Sequence, residues 1–338
     1  MNSDTLQTAK TVARAAHDAL EKASADALAA TLAEHAAPDY AWRGVRPFYE
    51  LQGVATVVET FWSPLRHSFR ALHRREDIFL AGPNDAGDPN EVWTASMGHF
   101  YGLFDAPWLG IPATGKMTAI RYAEFDRIAD GRIAETALFL DVIGVMQQAG
   151  CNPLPPQTGA TLLHPGPRTN DGVLLKVHDP AEGRATQALV NKMVEDLRAL
   201  NLSGDDHCPP EYLARTWRPD MTWFGPAGIG STMTIERYQE HHQYPFRQQL
   251  ADKTFLGHVA RVAEGNYCAF FGWPNLTNRP TGGFMGLPAS DKPAEMRVVD
   301  VYRRDGDRLA ENWVLIDVPH YLAQQGLDVL KRLGELEA

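Results

Sequence analysis

Cysteine is scarce. Cys151, Cys208 and Cys268 are odd in number, widely spaced and form no CxxC pair, which argues against a disulfide framework and for reduced thiols. Basic charge is short as well: 32 Lys and Arg stand against 42 Asp and Glu, a formal net charge of -10, and both halves of the chain are acidic. That balance excludes nucleic-acid binding by phosphate neutralisation and a polybasic membrane patch. No apolar run approaches the ~18 residues of a membrane span, and the N-terminus lacks the basic-then-apolar order of a signal peptide. A soluble, cytoplasmic protein is expected. Metal-ligand spacings are missing too, with no HExxH, HxH or Cys/His cluster, and the adjacent His241 and His242 would diverge by about 100° on a helix. There is no GxSxG elbow, and Gly225-x-x-Gly228-x-Gly230 is not the GxGxxG order of a dinucleotide loop. The expectation is no metal and no cofactor.

What is present is an ordinary globular composition, 44% hydrophobic and 22% charged, over 338 residues, enough for two domains. An internal repeat divides it. Residues 110–150 lie over 286–326 at a constant offset of 176, without a gap and with 13 identities in 41 positions. The matches include Gly110/Gly286, Pro112/Pro288, Lys116/Lys292, Arg121/Arg297, Arg127/Arg303, Glu135/Glu311 and Asp141/Asp317. Upstream, 32–69 lies over 213–250 at an offset of 181, pairing Trp42 with Trp223 and Pro64 with Pro245. The turn-rich stretch 82–89 absorbs the extra residues of the first copy. Six prolines, from Pro153 to Pro180, deny the segment between the copies a helix. We therefore expect a first domain over 1–150, a connector over 151–182 and a second domain over 183–338.

Each copy opens with helical spacing, at 3–35 and 185–200, followed by a glycine-bearing loop and a proline-interrupted helix at 53–69 or 234–250. Four strand-like runs follow in each: 71–80, 92–102, 118–128 and 133–142, then 255–263, 266–274, 295–303 and 309–318. Helices first and an antiparallel meander afterwards predict an α+β fold.

The loop Gly110-Ile111-Pro112-Ala113-Thr114-Gly115-Lys116, then Arg121-x-x-Glu124, Asp130-Gly131-Arg132-Ile133, Glu135 and Asp141, resembles the SnoaL-like polyketide cyclases of the nuclear transport factor 2-like superfamily. The second copy repeats the pattern through Arg297-x-x-Asp300, Glu311-x-Trp313 and Asp317. The resemblance implies two tandem cone-shaped domains, each a curved antiparallel sheet wrapped around N-terminal helices. It also implies a metal-free, cofactor-free acid on the last strands acting as general base, aided by a neighbouring His or Arg. Carried over, the base is Glu311, or Glu135 in the first copy, and the helper Arg297 or Arg121. Glu at these positions departs from the Asp usual in polyketide cyclases.

Period 2 puts Glu135 with Asp141, and Glu311 with Asp317, on one strand face, expected to be concave. A carboxylate there loses hydration and becomes usable in proton transfer near neutrality. Glu124 and Asp300 sit one strand earlier, and the hairpin register decides whether they or Arg121 and Arg297 face the acids. A fold-supporting ion pair, Arg121 with Glu135 or Arg297 with Glu311, is the alternative. Trp42, Tyr49, His67, His99 and Trp108 in the first copy, and Trp223, His242, Trp273 and Trp313 in the second, are candidates for lining an apolar pocket or filling the core. Trp313 opposite Ala137 would be either a stopper or a stacking platform. The partner expected is a small apolar carbonyl compound undergoing aldol cyclisation or isomerisation. Addition or removal of water, as in an epoxide hydrolase or dehydratase, and a non-catalytic ligand-binding module stay open, as does a homodimer that two domains in one chain would imitate.

Overall fold

The opening segment folds as its spacing requires. In the computed structural model, which describes residues 2–161, 164–203 and 208–336, α1 (Ser3–Lys22) buries Leu6, Ala9, Ala13, Ala16 and Leu20 along one stripe. Asn2 caps it, its side chain accepting from the Thr5 N–H at 2.8 Å. After α2 (Leu28–His35) come β1 (Ala36–Gly44) and β2 (Tyr49–Gln52), neither of which the alternation pattern had revealed. The proline-bearing helix forms in pieces: α3 (Val54–Val57), a π-helical turn at Val58–Trp62, and α4 (Ser63–Ser68). The widened turn accommodates Pro64, which has no N–H to donate.

Four long strands complete the first sheet: β3 (Phe69–Pro83), β4 (Val92–Phe104), β5 (Met117–Ala129) and β6 (Arg132–Leu140). They are antiparallel neighbours, but β1 pairs parallel with β6, so the order is β2-β1-β6-β5-β4-β3 and the sheet is more than a meander. β6 stops at Leu140 because Asp141 leaves extended geometry to cap α5 (Val142–Gln148), accepting from the Gly144 N–H at 2.9 Å. The sheet curls round α1 to α4. Inside it Trp42, Phe48, Phe61, Trp62, Phe100 and Tyr122 form one aromatic chain, successive ring centroids no more than 6.2 Å apart.

The second half repeats this order. α6 (Pro180–Leu202) and α7 (Pro210–Leu213) lead into β7 (Trp217–Phe224) and β8 (Ser231–Met233). A second broken helix follows, α8 (Ile235–Tyr238), a π turn at Gln239–Gln243 and α9 (Tyr244–Gln248). The run expected as one strand at 255–263 is two, β9 (Leu250–Phe255) and β10 (Ala260–Glu264), ahead of β11 (Tyr267–Pro280), β12 (Ala294–Asp305) and β13 (Arg308–Ile316). β13 pairs parallel with β7 as β6 does with β1. Asp317 caps α10 (Val318–Gln324), and α11 (Val329–Leu336) is the last element among the described residues. The molecule is thus two tandem cones.

Their convex faces pack on each other. Phe125 and Phe139 meet the Phe271 ring at 4.8 and 6.0 Å, and Phe139 meets Trp273 at 5.5 Å. The polar contacts exchange equivalent partners: Asp141 accepts from the Ala227 N–H at 2.9 Å, and Asp317 from the Arg46 N–H at 3.0 Å. Arg46 and Ala227 correspond at the offset of 181, so the two domains are related by an approximate two-fold axis. A buried Lys10–Glu264 pair at 2.6 Å crosses the same interface, with Lys10 also donating to the Leu174 carbonyl at 2.6 Å. The connector ties both sheets. Ala160 and Ser231 exchange backbone hydrogen bonds beside β8, and Gly172 and Leu174 bracket Phe79 at the edge of β3. Among the described residues no helix is long and apolar enough to cross a membrane.

Candidate active site

On β5 the residues with even numbers point into the first cone. Tyr122 reaches the aromatic chain, and Glu124 and Asp126, one and two alternations further on, meet His17 from α1. His17 Nε2 is 3.0 Å from Asp126 Oδ2 and 3.7 Å from Glu124 Oε1, and all three side chains are buried. The other oxygen of Asp126 accepts from the Thr136 hydroxyl at 2.6 Å. Glu124 Oε2 lies 2.6 Å from Arg74 Nη1, whose guanidinium covers the Phe100 and Tyr122 rings at 4.8 and 4.6 Å. The Tyr122 hydroxyl hydrogen-bonds Ser96 at 2.8 Å.

Burial sets the protonation states. Desolvation drives His17 down to about 4, with Arg74 adding to the effect, so the imidazole is neutral at pH 7. Desolvation also raises Asp126 to about 6, against the Thr136 hydrogen bond and the Arg74 charge. Asp126 is therefore an anion at neutrality, and the proton between them belongs on His17 Nε2. That leaves the Nδ1 lone pair, which is buried and has no partner. A narrow crevice of about 20 Å³, room for about one water, is lined by His17, Trp62, Leu72, His73, Arg74 and Phe100. The ligand atoms of His17, Glu124 and Asp126 lie within 4.8 Å of one another and could hold a cation, a cluster that linear spacing concealed because α1 supplies one member and β5 the others. Arg74 already supplies positive charge there.

The second cone differs at the matched positions. Asp300 stands for Glu124, Tyr302 for Asp126 and Asn312 for Thr136. Asp300 accepts from the Tyr302 hydroxyl at 3.0 Å and from Asn312 at 3.3 Å, and burial raises it to about 6. Trp223 and His242 stack at 4.0 Å, and desolvation lowers His242 to about 3. Among the described residues no histidine meets a carboxylate inside this cone.

Several expectations are corrected. Glu135 and Glu311 are not on the concave faces. A bulge after Arg127 and after Arg303 sets these arginines opposite them. Half-buried Glu135 pairs with Arg43 and with Arg127 at 3.6 Å. Buried Glu311 pairs with Arg303 and accepts from the Arg168 N–H at 3.2 Å. The expected ion pairs with Arg121 and Arg297 therefore do not form. Arg121 donates to the Phe224 and Gly225 carbonyls at 3.0 and 3.1 Å. Arg297 lies 3.6 Å from Asp317 and 4.0 Å above the Trp273 ring. Asp141 and Asp317 are caps and interdomain acceptors. Neither Glu124 nor Asp300 faces these acids; their cross-strand partners are Leu138 and Val314.

The pocket-lining candidates scatter. Trp42 and Trp108 are core, His67 is exposed, and His99 faces Asp77 at 3.3 Å on the convex side. Tyr49 and Trp273 lie at the domain interface, Tyr49 against His320 at 5.7 Å. Trp313 neither stops a cone nor forms a platform in one. It points outward, stacks on Phe224 at 5.5 Å and donates to the Pro165 carbonyl at 3.0 Å. His17, Arg74 and Asp126 were missed. The available signal was the two-residue step from Glu124 to Asp126 on a strand whose Tyr122 is aromatic, together with His17 on the buried side of α1.

A curved sheet closed by N-terminal helices over a buried polar cluster is the nuclear transport factor 2-like cone. Residues 10–149 match the model of the SnoaL-like polyketide cyclases. Among solved structures it is similar to a protein of Jannaschia sp. CCS1 described as a SnoaL-like polyketide cyclase, at 21% identity over 44% of this chain and 94% of that one, TM-score 0.32. It is similar also to IdmH of Streptomyces antibioticus, described as a polyketide cyclase, at 22% over 42% and 98%, TM-score 0.33. An NTF2-like protein of Burkholderia xenovorans LB400 is similar at 13% over 42% and 97%, TM-score 0.33. No curated protein sequence matches the chain.

Proposed function

We propose that the first cone is a general acid–base catalyst of the cyclase or isomerase type, acting on a small apolar carbonyl compound. The observation that carries this reading is His17, with one nitrogen 3.0 Å from Asp126 and the other buried without a partner. Asp126 fixes the tautomer and stabilises the imidazolium that forms, while Nδ1 takes a proton from the carbon α to the carbonyl. The electron pair moves to the carbonyl oxygen, where Arg74 and the Tyr122 hydroxyl are the nearby donors. In an aldol cyclisation the enolate carbon attacks a second carbonyl of the same molecule, and the imidazolium returns its proton to the alkoxide. In an isomerisation the proton returns to a different carbon. The reaction needs no other reagent. Because the crevice is narrow, admission of substrate requires Trp62, Leu72 and His73 to swing aside.

The test does not require the natural substrate. Deuterium exchange at the activated carbon of aryl 1,3-diketones, followed by NMR, reads proton abstraction directly. Exchange well above that of the Asp126→Asn variant is expected, and equal rates for the two would overturn the assignment.

A further inference from the structure

A chain of hydrogen bonds leads out of the first cone. Tyr122 of β5 is fully buried, and its hydroxyl meets that of Ser96 on β4 at 2.8 Å. The buried Ser96 hydroxyl donates to Glu76 Oε1 of β3 at 3.1 Å. The other oxygen of Glu76 pairs with Arg14 of α1, whose side chain is 34% exposed at the rim. Glu76, Gly98 and Tyr122 are cross-strand neighbours in one row, and because Gly98 carries no side chain, Ser96 bridges the gap between the other two. Ser96 has a single proton and gives it to the Glu76 carboxylate, so the proton between Ser96 and Tyr122 is the tyrosine's. Burial raises the Tyr122 hydroxyl well above its ordinary value, which keeps it protonated at neutrality.

The second cone supplies a control. Val298 stands for Tyr122 at the offset of 176. Phe270 stands for Ser96, since Phe270 lies opposite Asp300 as Ser96 lies opposite Glu124. The offset of 181 runs on into the next strand, where Ala71 and Asp252 take the same left-handed backbone at φ 54° and 53°, and it sets Gly257 against Glu76. All three members of the chain are therefore replaced by groups that carry no exchangeable side-chain proton, in the cone where, among the described residues, no histidine meets a carboxylate. Burying a tyrosine hydroxyl, a serine and a carboxylate costs desolvation that Val, Phe and Gly avoid. Since the same sheet folds without them, their presence in the first cone needs a reason beyond the fold.

We propose that Tyr122, Ser96 and Glu76 form a proton relay between the interior of the first cone and solvent at its rim. Its use in catalysis rests on the acid–base reading of that cone; the relay itself does not. A proton taken by Glu76 from a water or buffer acid at the rim turns the chain round, so that Glu76 donates to Ser96, Ser96 to Tyr122 and Tyr122 into the cone. Glu76 then gives its proton to Ser96 Oγ as Ser96 gives its own to the Tyr122 oxygen and Tyr122 gives its own to the enolate oxygen. Each O–H bond broken is matched by one formed: the enolate becomes an enol, the three side chains are unchanged, and the donor at the rim is one proton poorer. When the enol returns to a carbonyl, the same chain carries the proton out.

Exchange of the Tyr122 hydroxyl with solvent tests the relay on the whole chain without substrate. It is read from the deuterium isotope shift at Cζ in protein carrying carbon-13 tyrosine, the signal being assigned by its loss in Tyr122→Phe. Ser96→Ala, which breaks the chain, and Glu76→Gln, which keeps hydrogen bonding but takes up no proton, should each slow exchange by about tenfold or more, and Ser96→Thr should restore it. Loosened packing has the opposite sign, because an opened core speeds exchange. Equal or faster exchange in Ser96→Ala or Glu76→Gln, or slow exchange in Ser96→Thr, would overturn the proposal. Failure of the acid–base reading shows separately, as carbon exchange no faster in wild type than in Asp126→Asn.

Discussion

The two cones share one plan and differ in what closes their interiors. In the first, a histidine from the opening helix meets two carboxylates of β5, and its remaining nitrogen is unspent. In the second, the matched acid is Asp300, and the neighbours that replaced Asp126 and Thr136, Tyr302 and Asn312, donate to it. A donor pair satisfies a buried carboxylate and ends the matter; a histidine satisfies it and keeps a second nitrogen for something else. A duplicated fold can thus close its two interiors with different polar chemistry at matched positions.

The sharpest way to break this comparison is to exchange the roles of the two acids. Asp126→Asn should lower turnover by about 100-fold or more, whereas Asp300→Asn should leave it within about twofold, measured per folded molecule on the same carbonyl substrate. Next in size is Glu311→Gln, which strands Arg303 in the interior and should cost about 3 kcal/mol of stability in denaturant titration, with turnover kept. Asp141→Ala removes a helix cap and an interdomain acceptor together, and about 2 kcal/mol is expected.

The pH behaviour sharpens the contrast further. If Asp126 must be ionised, kcat/KM should rise through an apparent value of about 6 and lie flat above it. The linked effects on stability oppose each other. Asp126 is raised from its ordinary 3.8 to about 6, so its contribution is full below 3.8 and is lost as pH rises through 6. His17 is lowered from 6.5 to about 4, so between those values the unfolded chain holds the extra proton and stability climbs with pH. The two largely cancel in wild type. Asp126→Asn removes the first contribution and leaves the second, so relative to wild type its midpoint of unfolding should climb with pH between about 4 and 6. The smallest effect is expected of Glu135→Gln, about 1 kcal/mol, because both of its arginine partners keep about a quarter of their side-chain surface in water.

The repeat and the order of helices first and an antiparallel meander afterwards were legible in the chain because they rest on spacing and on turn residues that a register error does not move, and the cone class followed from the family resemblance those residues carry. The site was not. Glu135, Ala137 and Phe139 alternate as pocket-lining residues should, and so do Glu311, Trp313 and Leu315, yet these faces point outward. Alternation says which residues share a face and never which face is concave. In a lone cone the convex side would be exposed; here each cone buries the other's, so both sides of β4 and β5 are buried and neither reads as a solvent face. The bulges after Arg127 and Arg303 then chose the ion-pair partners, and a bulge of one residue leaves no mark on an alternating pattern. β1 and β7 escaped notice because Pro38-Asp39 and Pro219-Asp220 interrupt them, and a proline demotes a run that reads as a strand.

The connector has a consequence for assembly. Two cones meeting through their convex faces as separate chains would come apart on dilution, and a substitution in one would appear in both. Joined by residues 151–179, they face each other at a fixed effective concentration, in the millimolar range for a tether of this length. The contact between them therefore does not weaken as the protein is diluted, and its unfolding midpoint should not depend on protein concentration. Each side of the contact can also change alone, which is how Arg297 lies against the Trp273 ring while its counterpart Arg121 donates to the Phe224 and Gly225 carbonyls.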